Sequence, residues 1–101
     1  MSVAFIARIK PIAQRQIESA AAWWSENRPA APGAIRSDLK AALDALVEQP
    51  GIGTLVENSR DPETRRLFLA RTQYFVYYRP RGRHLEIVAF WHSSRERGPK
   101  I

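Results

Sequence analysis

The apolar residues of this chain keep one period up to residue 48 and a different one after Thr64. In the first half they recur every three to four residues: Ala13, Ile17, Ala20, Ala21 and Trp24, then Ile35, Leu39, Ala42, Leu43, Leu46 and Val47. That is the spacing of amphipathic helices, whose apolar stripes must be covered by another element. After Thr64 the pattern becomes short runs of aromatic and β-branched residues, which suit pleated strands. Two helices covering one sheet is the arrangement this switch of period allows. The 101 residues supply one core and one domain spanning 1–101.

Residues 3–8 read as a strand, with Val3 and Phe5 on one face, and Lys10-Pro11 breaks it. The helical spacing predicts a first helix over 12–27 and a second over 34–48, joined by the stiff corner Arg28-Pro29-Ala30-Ala31-Pro32-Gly33. Residues 51–63 read as a loop with a short extended piece at 54–56. Strands follow at 65–71, 74–79 and 85–91, the last two joined by a hairpin turn at Pro80-Arg81-Gly82-Arg83. The last strand is apolar nearly throughout, as expected of a central strand buried on both faces. Adjacent late strands should be antiparallel, and the first must enter the sheet by a crossover through the helices. The expected fold class is α+β: an N-terminal strand, then an α-helical hairpin packed on one face of a small, mostly antiparallel sheet, in the order β-α-α-β-β-β. Ile17, Trp24, Leu39, Leu43, Leu46, Val76, Ile87 and Ala89 are the expected core.

Composition removes several function classes. Without cysteine there are no disulfides, thiolate sites or cysteine nucleophiles. His84 and His92 alone make a multi-histidine metal site improbable, so no metal and no cofactor is expected. No apolar run approaches the ~20 residues of a membrane span, and the short apolar start meets Arg8 and Lys10, unlike a signal peptide. The expected location is the cytoplasm, with no membrane partner. Gly-rich phosphate loops and a Gly-x-Ser-x-Gly elbow are missing, and the carboxylates of the second half are scattered, so nucleotide hydrolysis, acyl transfer and glycosidase chemistry have no support.

Charge is uneven. Residues 1–59 carry six basic and six acidic side chains; residues 60–101 carry ten basic against four acidic and hold the whole net charge of +6. Thirteen of the 16 basic residues are arginine, whose forked donors match phosphates and carboxylates. The second half is therefore expected to face an anionic partner from the uncovered side of the sheet. The candidate constellation is Arg65, Arg66, Arg71, Arg79, His92, Arg95 and Arg97, interleaved with Tyr74, Tyr77, Tyr78 and Trp91. Against it, Tyr74 and Tyr78 read as sheet packing, Arg79, Arg81 and Arg83 as a solvated turn tip, and His92 as a structural residue at a strand end. Of Trp23 and Trp24 only one can face inward, which leaves Trp23 for a partner.

The chain resembles the ParE/RelE superfamily of type II toxin–antitoxin toxins. The segments that carry the likeness are Ile12-Ala13-x3-Ile17, Leu39-x3-Leu43-x2-Leu46-x3-Pro50-x2-Gly53, Arg65-Arg66-Leu67, Tyr74-Phe75-Val76-Tyr77-Tyr78 and Ile87-Val88-x2-Trp91-His92-x2-Arg95. The resemblance implies a small toxin neutralised by a cognate antitoxin in a hetero-oligomer. It offers two mechanisms: a ParE-like toxin that inhibits DNA gyrase by binding, or a RelE-like endoribonuclease that cuts mRNA in the ribosome. The missing tyrosine after Tyr78, and the alanine at position 70 where RelE has its sheet arginine, favour the ParE-like branch. On the binding reading Arg66, Arg71, Arg95 and Arg97 meet the target, while Trp23, Arg65 and Arg79 meet the antitoxin. On the nuclease reading His92, Arg71 and Arg95 are the catalytic candidates, with His92 shuttling a proton. A nucleic-acid-binding domain without catalysis, or an inactive toxin that keeps antitoxin binding, also fits the arginines.

Overall fold

The structure, a computed structural model, describes residues 4–101. Strand β1 (Ile6–Ile9) leads into helices α1 (Pro11–Asn27) and α2 (Ala34–Glu48). A single 3-10 turn (Pro50–Ile52) precedes strands β2 (Thr54–Leu55), β3 (Arg65–Leu69), β4 (Tyr74–Arg81) and β5 (His84–His92). Strand order in the one sheet is β1-β5-β4-β3-β2. Strands β2 to β5 pair antiparallel, and β1 runs parallel to β5 with Ile6 opposite His84 and Ile9 opposite Ile87. This is the expected α+β fold, crossover included. The short extended piece foreseen at 54–56 is β2, a two-residue edge strand. Val3, expected on the first strand, lies outside the described residues.

Local chemistry explains the boundaries. Pro11 opens α1, where a missing N–H costs nothing, and Lys10 before it is extended at φ −66, ψ 149. At the other end the Arg28 N–H donates to the Trp24 carbonyl at 2.7 Å. The Trp24 indole in turn donates to the Ala31 carbonyl at 2.9 Å and fixes the helical corner. Two residues, Gly82 and Arg83, connect β4 to β5, and Gly82 takes a positive φ of 59° without a side-chain penalty.

The helices cover one face of the sheet. Ala13, Ile17 and Ala20 of α1 and Ile35, Leu39, Ala42 and Leu46 of α2 pack on Leu69, Val76, Tyr78, Leu85, Ile87 and Phe90. Each leucine, isoleucine, valine or phenylalanine among them contributes roughly 1.5–3 kcal/mol on burial, and each alanine less. Six of the eight expected core residues are buried. Trp24 and Leu43 are only partly so, because each sits on the flank of its helical stripe and packs against the rim of the core.

Tyr78 is the largest fully buried side chain, and its hydroxyl is satisfied twice. It accepts from the Gly53 N–H at 2.9 Å and donates to the Pro50 carbonyl at 2.8 Å. Pro50 and Gly53, three positions apart after the second helix, thus present one carbonyl and one N–H to the same hydroxyl. A β-carbon on Gly53 would lie 2.3 Å from the Tyr78 hydroxyl and 2.8 Å from the Arg66 carbonyl, so only glycine fits.

The opposite sheet face is not bare. Val88 is an extra residue on β5 opposite the Tyr77/Tyr78 step of β4, and this bulge turns both Val88 and Ala89 to the far side. With Tyr77 they form a second, smaller cluster, flanked by Val56, Phe75, Trp91 and Ile101. The chain after β5 returns over it. The Trp91 indole donates to the Arg97 carbonyl at 2.7 Å, and the Arg60 N–H donates to the Ile101 carbonyl at 2.9 Å. The uncovered basic face expected from the sequence is thus crossed by a strap at its centre.

Candidate functional site

Beyond Ile87 the outer edge of β5 has no strand beside it, because β1 pairs only up to Ile9. Helix α1 crosses there, and its Gln16 Oε1 accepts the orphaned Phe90 N–H at 2.8 Å. Between α1 and the end of β5 lies a groove of about 560 Å³. Its walls are Ile12, Arg15, Ser19 and Trp23 on the helix side and Tyr74, Phe90, Trp91, His92 and Arg95 on the sheet side. Ile12 and Trp23 stand 54% and 49% exposed, an unusual pair on a helix whose other face is fully packed. The groove carries Arg15 and Arg95 and no carboxylate among its described lining residues.

The sheet-side residues hold one another in place. Tyr74 stacks flat on Phe90, with ring centres 4.6 Å apart, and meets His92 edge-on at 4.8 Å. The Ser94 N–H donates to His92 Nδ1 at 3.1 Å, and the Ser94 hydroxyl lies 2.7 Å from the same nitrogen. An N–H pointing at Nδ1 makes that atom an acceptor, so the ring's proton in the neutral form sits on Nε2. Burial raises the Tyr74 phenol above its ordinary value, more than the neighbouring Arg95 charge lowers it. Tyr74 is therefore a hydrogen-bond donor at neutral pH and a poor base. The Arg95 guanidinium lies 4.0 Å above the Trp91 ring, a stacked and partly pre-positioned charge.

The other arginines singled out in the sequence are scattered. Arg71, in the β3–β4 turn, binds Asp38 of α2 at 2.6 Å and does not line the groove that holds His92 and Arg95. Arg66 lies over the Phe75 ring at 4.1 Å and donates to the Tyr77 hydroxyl at 3.3 Å, on the strapped face. Arg97 is exposed beyond the strap's anchor, with only its carbonyl engaged, by Trp91. Arg65 is half-buried and donates to the Gly53 carbonyl at 2.7 Å, which ties β3 to the Tyr78 knot.

Arg79 and Arg81 depart from the expected solvated tip. Their neighbour across the hairpin, Glu86, is buried, and it gathers Arg8 at 2.8 Å, Arg79 at 3.2 Å, Lys10 at 3.9 Å and Arg81 at 4.0 Å. Arg81 is paired with Asp61 as well. Burial alone would push the Glu86 carboxyl up, but hydrogen bonds from Arg8 and Arg79 and the charge of Lys10 outweigh it and hold the group below its ordinary value. Only the turn residue Arg83 stays a solvated tip. Sequence reading missed this cluster because its members come from three strands. It missed Ser94 too, although a hydroxyl two residues after a strand-end histidine is a recognisable local capping signal.

Comparison with known proteins agrees with the likeness seen in the sequence. A family profile described as "ParE toxin of type II toxin-antitoxin system, parDE" matches residues 7–97. Toxin RelE1 of Caulobacter vibrioides is 30% identical over 87 residues, which is 84% of this chain and 89% of that protein. The solved structure titled "Chromosomal ParDE TA system from P. aeruginosa" superposes with a TM-score of 0.71 over 90% of this chain and 98% of the other, at 17% identity, a likeness of fold. The chain belongs to the ParE toxin family of type II toxin–antitoxin systems.

Proposed function

We propose that this toxin disables its target, DNA gyrase, by binding, and that an antitoxin neutralises it by seating an acidic, amphipathic segment in the groove between α1 and β5. The observation that carries the binding reading is the separation of the three residues a nuclease would need together. Arg71 is spent on Asp38, and only His92 and Arg95 share the groove. Cleavage through a 2′-hydroxyl needs a base, an acid and charge stabilisation at the phosphate. Here Tyr74, the one phenol among the groove's described lining residues, is protonated at neutral pH and burial raises it further, so it supplies no base. A binding inhibitor needs only a complementary surface, and Arg66, Arg95 and Arg97 offer exposed charges for one.

The antitoxin seat rests on Trp23 and Ile12, exposed apolar anchors beside Arg15 and Arg95. An extended or helical segment with apolar residues on one side and carboxylates on the other matches that chemistry. Trp23→Ala should weaken the antitoxin complex about thirtyfold, the loss of a ~2 kcal/mol anchor, without changing the toxin's melting temperature.

One observation favours the nuclease reading: His92, Tyr74 and Arg95 do line one cavity. The test adds purified toxin to gyrase supercoiling reactions and, separately, to translating ribosomes. Blocked supercoiling with intact mRNA, unchanged by His92→Gln and weakened by Arg95→Ala or Arg97→Ala, is the result expected. Ribosome-dependent mRNA cleavage abolished by His92→Gln would replace this reading with the other.

A further inference from the structure

Strand β1 ends the sheet, and its outer edge has no strand beside it among the described residues. The Ile6 N–H donates to the Arg83 carbonyl at 2.9 Å and the Lys10 N–H to the Ile87 carbonyl at 3.0 Å. Residues 6, 8 and 10 therefore aim their main chain at β5, while Phe5, Ala7 and Ile9 aim theirs outward. The Phe5 N–H finds the Val47 carbonyl of α2 at 2.9 Å. Ala7 and Ile9 present their N–H and C=O groups on the open edge, a row that another extended chain can pair.

Ala7 also faces a groove of about 380 Å³ beside α2, where it meets Leu39, Leu43 and Val47. Leu43 and Val47 are only half-buried, so apolar surface is left for an occupant to cover. Arg36 stands exposed on the rim without an ion-pair partner among the described residues, while Lys40 and Asp44 pair with each other at 2.9 Å. This groove shares no lining residue with the one between α1 and β5. On the other face of β1, Ile6 is 56% and the Arg8 side chain 51% exposed. Arg8 gives only one terminal nitrogen to Glu86, at the β1–β5–β4 corner where four cations face two carboxylates.

We propose that β1 accepts an extended polypeptide of alternating apolar and acidic residues as a sixth strand of the sheet. The unpaired main chain calls for a partner with a peptide backbone, which a nucleic acid lacks. Side chains of an added strand alternate between the faces. One set lies over Ala7, Leu43 and Val47, where apolar groups gain burial; the other lies beside Arg8, where carboxylates meet surplus positive charge. A second copy of this chain is turned away by its own charges. Pairing Ala7 with the Ile9 of another β1 sets Arg8 against Arg8, and pairing Ile9 with Ile9 sets Arg8 against Lys10. Like charges directly opposite destabilise a ladder. Pairing Ala7 with Ala7 would put Phe5 opposite Ile9, and the Phe5 N–H is already held by Val47.

The test needs neither gyrase nor antitoxin, so it stands apart from the functional reading above. A fluorescent hexapeptide of alternating valine and glutamate is titrated with the full chain. Its binding should slow amide hydrogen exchange at Ala7 and Ile9 about tenfold, and leave the Phe90 amide in the other groove unchanged. Methylating alternate peptide nitrogens blocks one edge of the hexapeptide; one of the two patterns should abolish binding and the other preserve it. Ala7→Pro removes an outward N–H without touching the β5 ladder and should weaken binding about tenfold. If that variant does not fold, the exchange and methylation results on the parent chain still decide. No binding, binding without protection of Ala7 and Ile9, or equal binding by both methylated peptides would overturn the proposal. So would equal binding of a valine–lysine hexapeptide, or light scattering that shows a dimer of the parent chain dissolved by Ala7→Pro, which would make a second copy the occupant.

Discussion

Adding one methyl group at Gly53 tests the tightest point in the molecule. In Gly53→Ala the new β-carbon would sit 2.3 Å from the Tyr78 hydroxyl, 2.8 Å from the Arg66 carbonyl and 2.9 Å from Tyr78 Cε1. The Arg66 carbonyl is sheet backbone, and the Tyr78 ring is packed in the core with no exposed surface, so neither yields freely. Overpacking of this kind costs about 1–3 kcal/mol. If the loop backs away, the Gly53 N–H loses its acceptor at 2.9 Å, a further 0.5–1.5 kcal/mol or so. A loss of about 2–4 kcal/mol is expected, seen as a melting temperature lower by roughly 10–25 °C in a chain of this size. Tyr78→Phe removes the clashing oxygen but strands the Gly53 N–H and the Pro50 carbonyl, at about 1–3 kcal/mol. The two changes must then couple. In the double variant the severest clash, with the hydroxyl oxygen, is gone, while the contacts with the Arg66 carbonyl and with ring carbon Cε1 persist. The double should be about 1–2 kcal/mol more stable than the sum of the singles, measured by urea unfolding of all four proteins. Strict additivity would refute the claim that the Tyr78 hydroxyl is what excludes a side chain at Gly53.

Other changes probe other layers. Leu46, fully buried on α2, should lose about 2–5 kcal/mol on Leu46→Ala in urea unfolding, through the cavity it leaves. Glu86→Gln should lower stability by about 2 kcal/mol at neutral pH, since charged hydrogen bonds from Arg8 and Arg79 are lost. The Glu86 carboxyl is held below its ordinary value of 4.5, so its contribution is complete above that pH and vanishes as pH falls through the lower folded value; the stability gap between the parent and Glu86→Gln should close in acid. Gln73 occupies the left-handed region at φ 67° in the β3–β4 turn. Gln73→Gly should be nearly neutral and Gln73→Val should cost about 1–2 kcal/mol, as read by melting temperature.

What the sequence revealed depended on how local its cause was. Both helices, their corner and the three late strands follow from the period of neighbouring side chains, although β3 stops at Leu69, two residues short of its expected end, and β4 runs on through Pro80 and Arg81 into what reads as turn. Trp24 and Leu43 show the limit of the method. A stripe drawn at helical spacing does not say where its flank ends, and that is set by the width of the sheet beneath. Arg79 and Arg81 looked like solvated charges because Glu86 sits inside an apolar run on another strand, and only the register of β4 on β5 brings them together. Of the site residues, Trp23 and His92 were visible as a surplus indole and a strand-end histidine. That Arg71 belongs to Asp38 was not, since the partner lies 33 positions away on α2. The strap was hidden for the same reason, being held by a bond between Arg60 and Ile101 that no local pattern announces.

The parallel pairing of β1 with β5 has a consequence for the order of events during synthesis. Arg8 and its partner Glu86 are separated by 78 positions. At a synthesis rate of about 5–20 residues per second, the first strand waits roughly 4–16 s for the last one to be made. During that interval the helical hairpin lacks the centre of its sheet, because β5 supplies Leu85, Ile87 and Phe90 to the layer beneath. Long-range closure of this kind is slow and cooperative. A nascent chain stalled anywhere before β5 therefore has neither the groove nor the Glu86 corner, and harmful activity cannot begin until β5 has been made. A helper that recognises the bare hairpin would meet the chain earlier than anything that needs the finished surface.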